Sequence, residues 1–149
     1  MSFELSREHE EFRRSVRDFA EAEIAPHVAQ WDCDHHFPVD VVHKMGDLGL
    51  FGLTAPEEFG GAGLAPEDGP FTSLCLAIEE LGRVDQSMGI TLEAGVGLGI
   101  NPILTFGNDE QKAAHLPIWW RDGSWPASAS PSRARLRRRR DQDQGRAGR

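Results

Sequence analysis

Hydrophobic positions in the first 117 residues recur at the three- and four-residue spacing of amphipathic helices. Behind a candidate N-cap at Ser6, the first stripe consists of Phe12, Val16, Phe19, Ala20 and Ile24. Pro26 breaks this helix, and we expect a short continuation and then a polar connection over residues 32–37. Pro38 begins a second helix that ends near Gly49, and its stripe consists of Val41, Val42, Met45 and Leu48.

Glycine and proline dominate residues 51–70, which predicts a loop before a third helix over residues 71–84. Asp85 can cap a fourth helix, which carries Met88, Ile90, Leu92, Val96, Leu98 and the glycines Gly89, Gly95, Gly97 and Gly99. Each glycine lowers helix stability by up to about 1 kcal/mol relative to alanine. This density of glycine therefore indicates that something packs close to the backbone.

Pro102 is expected to end the fourth helix, and Asn108 or Asp109 to cap a short last one. No segment shows the alternation of a β-strand, so the predicted fold class is all-α, a small up-and-down helical bundle.

The pattern and the charge both change after Pro117. Residues 1–120 carry 7 Lys and Arg against 21 Asp and Glu, a net charge of −14, whereas residues 121–149 carry 9 against 3, a net charge of +6. The second part has no hydrophobic period and contains four consecutive arginines, Arg137 to Arg140. We therefore predict a helical domain over residues 1–117 and a disordered Arg/Ser-rich tail over residues 118–149.

Composition narrows the classes of function. Cys33 and Cys75 are isolated and are interpreted as reduced thiols. The charged N-terminus is not typical of a secretory signal, and no apolar run is long enough to suggest a membrane span, so we expect a cytoplasmic protein without a membrane partner. The acidic body argues against nucleic acid as a partner.

The candidate chemical groups match no known catalytic or metal-binding pattern. Cys33, His35, His36 and His43 are of metal-ligand type, but their spacing fits no zinc site, and we predict no metal. Glu57 and Glu58 are interpreted as solvated turn residues rather than an acid/base pair. No nucleophile has a partner base, so we assign no catalytic residue.

Four strings, in order, carry a resemblance that covers nearly all of residues 4–117. They are SVRDFAEAEIAPHVAQWD, HFPVDVVHKMGDLGLFGLTAPEEFGGAGL, LAIEELGRVDQSMGITL and GINPILTFGNDEQKAAHLP. Together they closely resemble the N-terminal helical domain of the acyl-CoA dehydrogenases. The family places a flavin-contacting stretch of the type Phe-Gly-Leu-Thr-Glu-Pro after this domain, and the chain as written lacks it.

The tail residues can be back-translated into GC-rich codons. Read in a shifted frame, these codons encode the missing flavin-contacting stretch. Residues 119–126, read one base earlier, give Leu-Val-Ala-Gly-Arg-Glu-Leu-Ala, and residues 127–132 continue as Gly-Phe-Gly-Leu-Thr-Glu. Residues 136–146, read from the second base, give Ser-Asp-Ala-Gly-Ala-Thr-Arg-Thr-Lys-Ala. We therefore interpret the tail as a frame-shifted reading, with slips after about Pro117 and near Arg133.

The resemblance implies an FAD-dependent enzyme that oxidises acyl-CoA thioesters. In the family, a glutamate of a later domain removes the α-proton, the β-hydrogen leaves as hydride to FAD, and electrons pass to an electron-transfer flavoprotein. The full-length protein is expected to be a homo-oligomer. Aligned on Pro102, the family's acyl-pocket wall would include Ala94, Gly95 and Leu98, although helix packing on small residues explains these positions equally well.

The chain as written has no residue that we assign to FAD or to catalysis, and we expect it to be inactive alone. Two other interpretations remain open. One is a non-catalytic helical fragment or interaction module, and the other is an anion-binding Arg tail.

Overall fold

The computed structural model describes residues 4–65 and 68–122, and the side chains of these residues as far as Pro117. Residues 123–149, which make up most of the predicted tail, lie outside the described residues. Seven helices follow one another: α1 (Arg7–Glu23), α2 (Val28–Asp34), α3 (Val39–Asp47), α4 (Pro70–Val84), α5 (Gln86–Ala94), α6 (Asn101–Phe106) and α7 (Asp109–Asp122). The described part of the chain contains no β-strand, so the all-α prediction is confirmed.

The helix N-caps predicted at Ser6, Asp85 and Asn108 are present. The Ser6 hydroxyl accepts a hydrogen bond from the His9 amide at 3.2 Å, and the Asp85 carboxylate accepts one from the Ser87 amide at 2.8 Å. Asn108 and Gln111 accept from each other's amides at 2.8 and 3.0 Å, which makes a capping box for α7.

Pairs of packed helices form the layers around the core. Helix α1 packs on α4, α4 packs on α5, and α3 packs on α7. The approach of α4 and α5 is close, because a Cβ atom on Gly89 would lie 3.1 Å from the Cα atom of Gly82. The largest fully buried apolar side chains are Ile24, Met45, Leu50, Leu81, Met88, Leu92, Val96, Ile100 and Leu116.

A buried ion cluster joins α1 to α4. Glu80 is fully buried, and its carboxylate accepts hydrogen bonds from Arg13 at 2.7 Å, Arg17 at 2.7 and 2.9 Å, and Arg83 at 3.2 Å. These bonds, with that of Arg17 the largest influence, outweigh the opposing effect of burial and lower the pKa of Glu80 to about 2.

Two prolines do not end helices as expected. The helix that begins at Gln86 continues through Pro102 to Phe106, because a π-helical turn over Gly95–Ile100 joins α5 to α6. Pro102 then lies in the first turn of α6, directly after the π turn. Helix α7 likewise runs through Pro117 to Asp122, so residues 118–122 of the predicted tail are helical.

The end of α2 also differs from the prediction. Helix α2 includes residues 32–34, which we expected to lie in the polar connection. It ends at His35, which adopts a left-handed conformation with φ of 52°.

The segment Gln86–Phe106 forms one helix of 21 residues that is long and apolar enough, by length and composition alone, to cross a membrane. The sequence-based expectation that no such run exists was wrong, because Pro102 does not interrupt the helix. Only a third of the segment is buried in this bundle. Many of its apolar residues therefore lie outside the core of this bundle.

Candidate functional site

The helix Gln86–Phe106 presents a buried line of apolar side chains at an unusual spacing. Met88, Leu92, Val96 and Ile100 are spaced by four residues and are each at most 1% exposed. A four-residue step exceeds one α-helical turn by about 40°, so three steps would carry the last side chain about 120° around a regular helix. The wider π turn at Gly95–Ile100 takes up this drift and keeps the line on the core.

A second apolar line, also spaced by four residues, lies away from the core. We call it the outer line, and it consists of Ile90, Ala94, Leu98, Pro102 and Phe106. Ile90 is 54% exposed, Leu98 71% and Phe106 86%. The helix is thus apolar on both sides, and the described bundle covers only one of them.

Two contacts from the preceding loop hold the π turn. A 3₁₀ turn over Leu50–Gly52 places the buried Phe51 ring so close to Gly95 that a Cβ atom there would lie 2.8 Å from its Cε1 atom. At the other end of the π turn, the Thr54 hydroxyl donates a hydrogen bond to the Asn101 side-chain oxygen at 3.1 Å. The loop containing LGLFGLTAP therefore sets the position of the glycine-rich helix.

The structure separates the three residues predicted to form the pocket wall. Ala94 and Leu98 are partly and largely exposed, and both belong to the outer line. Gly95 is buried, and its missing side chain would point at Phe51. At Gly95 the close approach of the Phe51 ring leaves no room for a side chain.

Sequence reasoning missed the other members of the outer line, Ile90, Pro102 and Phe106. Their four-residue spacing is visible in the sequence and was the signal that could have identified them. Near Phe106 the outer line meets a shallow groove of about 420 Å³ between α6 and α7, lined by Pro102, Ile103, Phe106, Gly107, Gln111 and His115. This surface is concave and mainly apolar, which suits an alkyl chain or another protein layer.

The remaining chemical groups lie elsewhere. Glu57 and Glu58 are exposed in a 3₁₀ turn, and Cys33 and Cys75 are exposed free thiols. Within the described ranges, no three His, Cys, Asp or Glu side chains are grouped as metal ligands. In that same part of the chain, every buried side-chain nitrogen or oxygen has a hydrogen-bond partner. The outer line itself consists only of apolar residues.

Known proteins place this bundle in a family. Residues 6–121 match the family described as acyl-CoA dehydrogenase, N-terminal domain. A protein of Bacillus subtilis (strain 168), described as a probable acyl-CoA dehydrogenase, is 45% identical over 78% of this chain and 29% of its own length. The mitochondrial isovaleryl-CoA dehydrogenase of Oryza sativa subsp. japonica is 44% identical over 72% of this chain and 26% of its own length.

Solved structures show the same fold. A chain in the structure of the electron-transferring flavoprotein of Acidaminococcus fermentans is 38% identical, with a TM-score of 0.74 over 83% of this chain and 31% of its own. Butyryl-CoA dehydrogenase from Megasphaera elsdenii is 33% identical, with a TM-score of 0.74 over 83% and 32%. Acyl-CoA dehydrogenase from Bacillus anthracis, complexed with FAD, is 35% identical, with a TM-score of 0.69 over 80% and 20%.

This chain thus spans less than a third of the length of the relatives and structures that it resembles. The match nevertheless covers almost all of its described residues and includes the helix that carries the outer line. The chain belongs to the acyl-CoA dehydrogenase family and corresponds to its N-terminal helical domain.

Proposed function

We propose that this chain is the N-terminal domain of an FAD-dependent enzyme that dehydrogenates acyl-CoA thioesters between their α- and β-carbons. The reaction class rests on the family match, and the observation in this structure that supports the proposal is the outer line, an apolar face that the bundle leaves uncovered. Monomeric soluble proteins seldom leave such a face to water, so a second layer is expected against it. Downstream domains and the alkyl part of the substrate together would supply that layer.

We assign no FAD site to the described residues. The groove at Phe106 is mainly apolar and shallow, which does not suit a flavin and its pyrophosphate. FAD would therefore be held by parts of the protein outside these residues. The role that we assign to this domain is to form one side of the acyl pocket, through Ala94 and Leu98.

For the tail, the proposal is that the written residues 118–149 are a shifted reading of the start of the flavin-contacting domain. The support is the recovery of Gly-Phe-Gly-Leu-Thr-Glu and Ser-Asp-Ala-Gly from codons compatible with the written residues. The unusual charge reversal then needs no anionic partner. On this proposal the 149-residue chain is colourless and inactive, whereas the full-length protein is a cytoplasmic homo-oligomer that passes electrons to an electron-transfer flavoprotein.

The test is to express the gene with both slips corrected, so that one continuous frame encodes the flavin motif and the sequence after it, beside the 149-residue chain. We expect the longer product to purify yellow and to reduce an electron-acceptor dye only when an acyl-CoA is added. The 149-residue chain should do neither. A longer product that binds flavin but is not reduced by straight or branched acyl-CoA thioesters would contradict the proposal.

The alternative function, a non-catalytic interaction module, is favoured by the same exposed outer line. It predicts that the 149-residue chain occurs in cells as a stable, soluble product. Detection of tail peptides such as those from residues 122–133 by mass spectrometry would support it. Detection only of peptides from the restored frame would exclude it.

A further inference from the structure

The outer line faces away from the bundle, but a buried residue of the bundle, Phe51, contacts the helix that carries it. Gly95 lies between Ala94 and the rest of the π turn, and its backbone rests on the buried Phe51 ring. Phe51 is only 4% exposed, so it cannot swing aside into solvent to make room. A change in the size of residue 51 therefore bears directly on the helix backbone at Gly95.

The π turn is the part of this helix best able to take up such a change. It contains three of the glycines, and its hydrogen bonds already depart from the α-helical pattern. Leu98 projects from this turn and Ala94 immediately precedes it. A shift of the turn toward or away from Phe51 therefore moves both residues relative to whatever covers the outer line.

Gly97 lies in the same π turn as Gly95 but has more room for a side chain. A Cβ atom on Gly97 would meet only the Glu93 carboxylate oxygen at 2.9 Å, the far end of an exposed and flexible side chain. The constraint on the turn thus comes from Phe51 at Gly95, and not from glycine content in general.

We propose that Phe51 is a positioning residue for acyl-chain length, which acts through Gly95 on the depth of the wall formed by Ala94 and Leu98. The inference rests on the proposed function. A smaller side chain at position 51 lets the π turn settle toward the core, which deepens the pocket and favours longer chains. A methyl group at position 95 pushes the turn outward, which makes the pocket shallower and favours shorter chains.

The test uses four forms of the full-length enzyme: the parent, Phe51→Leu, Gly95→Ala and the double variant. The readout is the ratio of kcat/KM for octanoyl-CoA to that for butyryl-CoA. We expect this ratio to rise about tenfold in Phe51→Leu and to fall about tenfold in Gly95→Ala, the scale of discrimination that a methylene produces in an apolar pocket. In the double variant the ratio should return toward that of the parent.

Two controls separate positioning from general destabilisation. Val16→Ala removes buried volume from α1, which packs on α4, and should lower the unfolding midpoint without changing the ratio. Phe51→Met provides a milder change at the same site if Phe51→Leu does not fold.

Each outcome has a distinct meaning. Opposite shifts that cancel in the double variant support the inference. A folded, active set of enzymes with the same ratio throughout overturns it and leaves the proposed function intact. A flavin-loaded parent that oxidises neither thioester, nor branched ones, overturns the proposed function itself.

Discussion

Glu80 is the charged residue whose surroundings the fold constrains most closely. Its side chain is 1% exposed and is bonded by three arginines, whereas its neighbour Glu79 is 59% exposed and forms an ion pair with Arg13. A buried carboxylate stabilises a fold only while its partners compensate for lost hydration. The two adjacent glutamates therefore form a matched pair for experiment.

We predict that Glu80→Gln lowers the free energy of unfolding by about 3 kcal/mol, because it leaves three guanidinium groups around a neutral amide. Glu79→Gln should lower it by less than about 1 kcal/mol, as expected for an exposed ion pair. Urea denaturation followed by circular dichroism measures both. Equal effects of the two substitutions would show that the Glu80 cluster does not tie α1 to α4.

The lowered pKa of Glu80 also predicts that the free energy of unfolding falls at low pH. Because the pKa of Glu80 falls from 4.5 to about 2 on folding, its contribution is complete above pH 5 and is lost as the pH falls toward 2. The loss should amount to about 3 kcal/mol over this interval. Denaturation curves of the parent and of Glu80→Gln between pH 6 and pH 2 should therefore converge in acid, and parallel curves would contradict this account.

Gly95 and Gly97 are a second matched pair at the residue scale. Gly95→Ala should be destabilising by about 1–3 kcal/mol, because the new methyl group overlaps the Phe51 ring. Gly97→Ala should be neutral or stabilising by up to about 1 kcal/mol, because alanine is the better helix former and Glu93 can move away. Thermal denaturation of the two variants checks this, and the reverse order of stability would exclude the Phe51 contact.

At the level of secondary-structure elements, the π turn contains one residue more than a regular α-helix needs. If Gly97 were deleted, the buried line would be spaced by four, four and three residues, and on a regular α-helix the net rotation from its first to its last side chain would fall from about 120° to about 20°. We predict that the Gly97 deletion folds into the same bundle with a continuous α-helix. Deletion of Ile78 from α4, which is α-helical throughout, should instead rotate Leu81 and the following residues by about 100° and unfold the domain.

Circular dichroism and thermal denaturation distinguish these deletions. Retained helicity with a cooperative transition for the Gly97 deletion, and its loss for the Ile78 deletion, would support the assignment of the extra residue. Loss of the fold in both would contradict it.

The elements that sequence predicted correctly depend on neighbours close in the chain. The caps at Ser6, Asp85 and Asn108 are each formed with a residue two or three positions away. The continuation through Pro102 could not be predicted in this way, because Phe51 and Thr54 hold the π turn from a loop more than 40 residues earlier. For the same reason the sequence grouped Gly95 with Ala94 and Leu98, although only the latter two belong to the outer line.

For the molecule as a whole, the outer line explains two observations together. It accounts for a 21-residue helix that is apolar enough to resemble a membrane span although it is part of a bundle. It also agrees with relatives that are more than three times as long as the matched region. A domain with two apolar faces is expected where one face forms its own core and the other packs against a further domain.

The most direct test of this account is to sequence the gene from the Pro117 codon to well beyond the Arg149 codon. The account predicts that one or two bases separate the written reading from a continuous frame, which encodes Gly-Phe-Gly-Leu-Thr-Glu and then Ser-Asp-Ala-Gly. A confirmed nucleotide sequence that encodes the written tail, with no such motif in any nearby frame, would contradict it.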